Sequence, residues 1–291
     1  MSTHRLALPA LILASIISGT AGTAVKLTLL YFNPPTILFF RLALAALFIL
    51  LINSLVFHKI TFPISKRILL SSFLFTANLI FFTFGISLTT AIAAGFLGSL
   101  IPINIALLTH WRRKSEPVSP RQWLGLSLSV IGTIFTIYTP SSFGTILGNL
   151  LILGAIVSYS LYQYLNQPLT RKYSPLLLTT NNLLLATFIS FPLFFLANKH
   201  APVTISSFSL QSISLLLFLS LIVSVGMYLL YQWGIKHSSS LTAGITMYLS
   251  PLVTAAVAIP ILGEQLSPRL ALGGTLILFG VYLANRRTTL T

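Results

Sequence analysis

Glu116-Pro117-Val118-Ser119-Pro120-Arg121-Gln122-Trp123-Leu124-Gly125 and Glu264-Gln265-Leu266-Ser267-Pro268-Arg269-Leu270-Ala271-Leu272-Gly273 occur in the same chain. Glu, Ser-Pro-Arg and Gly coincide at an offset of 148, and Gly132 and Gly280 continue the register. Upstream the offset is 149: Gly85-Ile86 and Ala94-Gly95 match Gly234-Ile235 and Ala243-Gly244, and Pro102 matches Pro251. Earlier still it is 140, where Ile12-Leu13, Ile16, Ser18 and Pro35 match Ile152-Leu153, Ile156, Ser158 and Pro175. The step from 140 to 149 places an insertion near Asn198–Ser209, which reads as a loop. The chain is therefore read as a duplicated unit, residues 1–141 and 142–291.

Composition says what kind of unit this is. Of 291 residues, 55% are hydrophobic and 7% charged; the only acids are Glu116 and Glu264, and Asp and Cys are absent. A soluble domain carries about 25% charge. A soluble enzyme, a disulfide-stapled secreted module and any aspartate-dependent mechanism are excluded. Inside a bilayer each segment must satisfy its own backbone polar groups. Runs such as Leu42–Ile52 do not alternate as barrel strands do. The expectation is an all-α polytopic membrane protein. About 20 residues span a bilayer at 1.5 Å rise each. Ten spans follow: Leu6–Leu30, Thr36–Phe57, Ile68–Leu88, Ala91–Thr109, Gln122–Tyr138, Ile146–Gln167, Leu176–Ala197, Gln211–Gly234, Leu241–Leu262 and Leu270–Asn285. The first is too long, and too interrupted by Ser15, Ser18, Thr20 and Thr23, for a cleaved signal peptide.

Charge sets the orientation. With both termini in the cytoplasm, thirteen of the seventeen Lys and Arg fall on cytoplasmic segments, and only Lys199 and Arg269 on outer loops. Lys26 and Arg41 fall inside spans. Such a bias is a topology signal, with anionic lipid offsetting the +15 net charge. The short loops build no basic face for nucleic acid. Five spans per unit is odd, so the two copies cross the membrane in opposite senses. Inverted repeats of this kind are the architecture of secondary transporters, with the substrate site near midplane between the halves.

The chain resembles a ten-helix, EamA-like member of the drug/metabolite transporter superfamily. The resemblance rests on the duplicated five-helix unit and on the Gly263-Glu264-Gln265-Leu266-Ser267-Pro268 turn before the last helix. It rests also on Arg41 early in the second helix and on the small-residue fourth and ninth helices. The first half departs from that pattern, with Lys114-Ser115-Glu116 in place of Gly-Glu. The resemblance implies alternating-access export, exchange or facilitated diffusion of small metabolites, often amino acids.

Polar residues at bilayer depth mark candidate sites. Lys26 continues a stripe with Ser18 and Gly22 and is expected to face a cavity, with snorkelling as its alternative. Arg41 leans toward the outer water and serves snorkelling, helix packing or substrate. If both cations face the cavity, a carboxylate- or phosphate-bearing substrate follows. The repeat pairs Lys26 with Asn166 and Arg41 with Asn181. Tyr159, Tyr162, Gln163 and Asn166 in the sixth helix, Tyr228 and Gln232 in the eighth, Tyr248 in the ninth and Asn78 in the third complete the substrate-binding candidates. Gly95, Gly98 and Pro102, with Gly244 and Pro251, are candidate hinges, because proline frees backbone carbonyls and glycine permits close approach. Glu116 and Glu264 are assigned a structural role, pairing with an Arg or capping the next helix.

Neither glutamate lies deep in a span, and all five histidines sit at span ends or loops, so no residue is placed to carry a proton. No metal set, no cofactor motif and no phosphate loop are present, and the chain is read as a non-enzyme. The expected function is transport of amino acids or related carboxylate-bearing compounds across a bacterial inner membrane, as monomer or homodimer. The alternatives are an exporter of hydrophobic or cationic drugs and, more distantly, an intramembrane enzyme.

Overall fold

The computed structural model describes residues 3–56, 64–113, 120–137, 144–199, 203–204, 207–237 and 246–285. The named elements are helical: α1 (Thr3–Thr28), α2 (Pro34–Val56), α3 (Lys66–Leu88), α4 (Ala91–Gly98), α5 (Ile101–Arg113), α6 (Pro120–Ile137), α7 (Ile146–Lys172), α8 (Pro175–Asn198), α9 (Leu210–His237), α10 (Leu249–Leu262) and α11 (Pro268–Asn285). Six of them (α1, α2, α3, α7, α8 and α9) are long and apolar enough to cross a membrane; Trp123–Ile137, Leu249–Leu262 and Pro268–Leu283 are shorter apolar helices, and α4 with the start of α5 makes a further apolar stretch, Ala91–Ile105. The protein is a helical membrane protein. Large apolar side chains such as Leu51, Phe73, Leu150, Phe188, Leu252 and Phe279 are exposed, while Ser, Thr, Asn and Gln are buried in number. That inversion is what a lipid solvent produces.

Helix starts follow local chemistry. Ser65, Thr90, Thr145, Ser174 and Ser209 each cap a helix by accepting a backbone N–H with the side-chain oxygen. In the Ser-Pro-Arg turn Ser267 accepts from Leu270 N at 3.1 Å, and Pro268 opens α11. Gly263 ends α10 with φ 65°, a left-handed conformation in which its N–H reaches Ile259 O at 3.1 Å.

Two sequence expectations need correction. The fourth span is two helices rather than one. Between α4 and α5, Ser99 N bonds Phe96 O and Leu100 N bonds Leu97 O, a tightened turn. Pro102 explains the break, because it offers no N–H to Gly98 and its ring would collide with that carbonyl in a continuous helix. The eighth span is not a uniform α-helix. Its middle, Phe218–Met227, is π-helical, between α-helical Leu210–Leu217 and Tyr228–His237. Part of the ninth span, with the hinge candidate Gly244, lies outside the described residues, as does Glu116.

The helices pair across the two halves of the chain: α6 with α11, α3 with α7, α2 with α8, and α1 with α9 and α10. The α6–α11 crossing is backbone to backbone. A Cβ on Gly132 would lie 2.6 Å from Gly273 O, and one on Gly280 would lie 2.5 Å from Gly125 O. These four glycines therefore pack inside one chain, not between two.

Candidate functional site

At the centre of the bundle is a cavity of about 150 Å³. Its walls come from α1 (Ser15, Ser18, Gly22), α2 (Arg41), α3 (Asn78), α4 (Gly95, Gly98), α7 (Tyr159), α9 (Tyr228, Tyr231) and α10 (Ser250, Pro251). Close approach of α1, α4 and α10 shapes it. Gly19 abuts Ser250 O and Val253, Thr254 donates to Gly19 O at 2.9 Å, and a Cβ on Gly95 would meet Thr254 at 3.0 Å.

Arg41 is the cavity's fixed charge. It is 2% exposed and does not reach the surface. Its Nε donates to Ser224 Oγ at 2.7 Å, while Nη1 is buried with no hydrogen-bond partner. A buried guanidinium ordinarily sits against a carboxylate. Among the described residues the cavity wall contains no acid, and the one ion pair is Lys26 with Glu264. The π-helical stretch of α9 supplies Arg41's partner. Ser224 Oγ itself donates to Leu219 O, five residues back, at 2.9 Å. π-Segments cluster at functional sites because the widened turn re-aims side chains. No sequence signal announced this one.

The aromatic wall is a connected cluster. Tyr159 stands 5.7 Å from Tyr162 and 6.5 Å from Tyr228, ring to ring, and Phe75 packs on Tyr162 and Tyr228 at 5.3 and 4.8 Å. Gln163 Nε2 donates to Tyr159 Oη at 2.7 Å, which leaves the Tyr159 proton free to donate. Asn78 Nδ2 donates to Ala155 O at 2.9 Å, leaving its Oδ1 to accept.

Other candidates lie behind this wall. Tyr162 Oη accepts from Asn182 Nδ2 at 3.0 Å and from Gln232 Nε2 at 3.2 Å; Gln232 also donates to Thr179 Oγ1 at 2.8 Å and accepts weakly from Asn166 at 3.5 Å. Ser72 donates to Asn182 Oδ1 at 2.7 Å. This neutral network ties α3, α7, α8 and α9 together. The i, i+4 stripes named their members but not which of two adjacent polar faces met the cavity. Tyr248 is half-buried beside the cavity residues Met247 and Ser250, and Pro102 is buried at the start of α5.

Lys26 lies outside the cavity wall. Its Nζ donates to Thr89 O at 2.6 Å and stands 3.8 Å from Glu264 Oε1. Glu264 accepts from Ala91 N at 2.7 Å and Ile92 N at 3.0 Å. The glutamate thus caps α4, far away in sequence, and not the helix that follows it. A carboxylate on orphan N–H groups at a helix N-terminus is favourable twice over, by hydrogen bonding and by the helix dipole. Lys26, Glu264 and Thr89 form a clasp that joins α1, the α3–α4 connection and the α10–α11 turn.

The sequence profile of the EamA-like transporter family matches residues 5–138 and 146–286. An uncharacterized transporter of Archaeoglobus fulgidus is 28% identical over 203 residues, 68% of this chain and 68% of that protein. The uncharacterized transporter YyaM of Bacillus subtilis is 25% identical over 284 residues, 93% of this chain and 90% of its own. A crystal structure of another protein superposes with a TM-score of 0.65 at 17% identity, covering 96% of each chain, which is a likeness of fold alone.

Proposed function

The chain belongs to the EamA-like transporter family, and from that membership we propose that it carries small carboxylate-bearing metabolites, bound against Arg41 in the central cavity. One observation carries this reading: a buried guanidinium with an unpartnered Nη1, in a cavity wall whose described residues include no acid. A carboxylate completes the fork with paired, charge-assisted hydrogen bonds. The substrate then supplies the charge that the wall lacks.

The transport cycle is alternating access between two inverted five-helix units, residues 1–141 and 142–291, making ten spans with both termini cytoplasmic in an inner membrane. The reading is supported by the reciprocal glycine contacts, Gly132 with Gly273 and Gly125 with Gly280, which exchange equivalent positions of the repeat. In this arrangement the Lys26–Glu264–Thr89 clasp closes the outer side, and two breaks are the flexing points: the one at Pro102 and the turn at Met247–Tyr248, where Ser250 N reaches Met247 O at 3.4 Å just before Pro251. Transport is exchange or facilitated diffusion, since neither acid of the chain is placed deep in a span.

Two experiments test this. A thermal-stability screen of the purified protein should find stabilisation by carboxylates and none by lipophilic cations; stabilisation by cations alone refutes the substrate reading. A ligand at a hundred times its Kd stabilises the folded state by about 2.7 kcal/mol, well within reach of such a screen. The chain has no cysteine, so single cysteines report topology cleanly. In intact cells an impermeant thiol reagent should label Lys199→Cys and spare Lys66→Cys; the reverse pattern overturns the orientation.

A further inference from the structure

The charge inventory of the cavity goes beyond the class just proposed. Arg41 contributes one positive charge, and no described wall residue contributes a negative one. Glu264 is committed to Ala91 N, Ile92 N and Lys26. Lys26, the nearest other cation of the spans, is held by Thr89 O and Glu264 and adds nothing to the wall. Among the described residues the cavity therefore presents a single unmatched charge. A substrate with one carboxylate neutralises it. A second carboxylate would be buried without a partner. An α-ammonium would sit within a few ångströms of the guanidinium, with its own carboxylate already engaged by Arg41 and no acid among the described wall residues to offset it. The opposing field is small: α4 ends at Gly98 in the wall, but Phe96 O and Leu97 O already accept from Ser99 and Leu100. The remaining wall is apolar, with Ala, Ile, Leu and Val, or aromatic, and its neutral polar groups, Ser18, Asn78 and Tyr159 among them, suit uncharged hydrogen-bonding substituents.

We infer that the substrate is a monoanion: a small carboxylic acid with an apolar or aromatic body, at most a neutral polar substituent, and no ammonium group. The inference rests on the reading of this cavity as the substrate site. Its physical basis is rejection by unpaired charge, which separates ligands of equal size more sharply than apolar fit does. The amino acids that the family resemblance implies are thereby disfavoured relative to their deaminated counterparts.

The test is calorimetric titration of the full-length protein in uncharged detergent with matched pairs. Isocaproate is compared with leucine, hydrocinnamate with phenylalanine, and glutarate is added as a dianion. Isoamylamine and phenethylamine are the cationic members. The expected result is at least ten-fold tighter binding of each monocarboxylate than of its amino acid or of glutarate, and no binding of the amines. Equal or tighter binding of the amino acids overturns the monoanion inference and leaves the carboxylate reading standing. Binding of the amines alone overturns both. Failure of both monocarboxylates to bind, with leucine or glutarate binding, overturns the monoanion inference only; failure of every carboxylate overturns both. Arg41→Gln should abolish monocarboxylate binding, and retention within two-fold of wild type overturns the assignment of the charge.

Discussion

Replacing Arg41 by methionine should make the empty protein more stable and at the same time blind to carboxylates. The side chain is 2% exposed, makes one hydrogen bond, from Nε to Ser224 Oγ at 2.7 Å, and leaves Nη1 unpartnered. Losing that charge-assisted bond costs about 1.5–3 kcal/mol. Removing a buried, unneutralised charge returns several kcal/mol. Methionine fills much of the volume with a flexible apolar chain, and Ser224 keeps its bond to Leu219 O at 2.9 Å. The balance favours the variant by about 2 kcal/mol, within the range seen when buried ionic groups give way to apolar ones. At about 2 °C per kcal/mol for a chain of this length, Tm should rise by about 4 °C. The assay is intrinsic-fluorescence thermal unfolding in one detergent, with and without isocaproate or another monocarboxylate. Wild type should gain stability from the ligand; Arg41→Met should start higher and gain none. A fall in the Tm of the empty variant, or a ligand response equal to wild type, refutes the reasoning. Such opposition between stability and binding is expected where a site keeps a group for function alone.

Other perturbations probe the parts around the site. Glu264→Ala leaves two helix N–H groups and Lys26 without their acceptor and should destabilise by about 2–4 kcal/mol, read as a lower Tm; an unchanged Tm removes Glu264 from the clasp. Lys26→Met should leave monocarboxylate Kd within about two-fold of wild type, since Lys26 is outside the wall; a ten-fold loss in the same titration would put it in the site. Gly132→Val must displace Gly273 O, 2.6 Å from the first added carbon, and should cost about 1–3 kcal/mol as overpacking. Its Tm should drop while the Kd of the folded fraction is kept. Ser224→Ala removes the Nε acceptor and should weaken monocarboxylate binding about three- to ten-fold through loss of Arg41's orientation; unchanged affinity would show that Arg41 needs no such support.

Much of the fold was legible because lipid imposes strict rules on sequence. Spans such as Pro34–Val56 and Pro175–Asn198 announce themselves by apolar length, and their starts by Ser-Pro or Asn before Pro. The break at Ser99–Leu100 was marked by Pro102, yet a proline near a helix start and one inside a span look alike until the turn is seen. The π-helical Phe218–Met227 was not legible at all: its composition is that of any apolar helix, and what sets it apart, the meeting of Ser224 with Arg41, joins residues far apart in sequence. The same limit governs the polar stripes. A period of 3.6 places Tyr159, Tyr162, Gln163 and Asn166 on neighbouring faces of one helix. The partners Gln232, Thr179 and Asn182, distant in sequence, draw Tyr162 and Asn166 into a network and leave Tyr159 to the cavity. Lys26 shows the converse. Its stripe runs along the cavity through Ser18 and Gly22, but the lysine chain reaches past the end of it to Thr89 and Glu264.

The most direct test of the central claim is counterflow in proteoliposomes. Vesicles preloaded with unlabelled isocaproate and diluted into a trace of the labelled acid should accumulate label with wild-type protein. They should accumulate none above protein-free vesicles with Arg41→Met that is equally well inserted. Accumulation by Arg41→Met at the wild-type rate would contradict the claim that the carried molecule is a carboxylate held by Arg41.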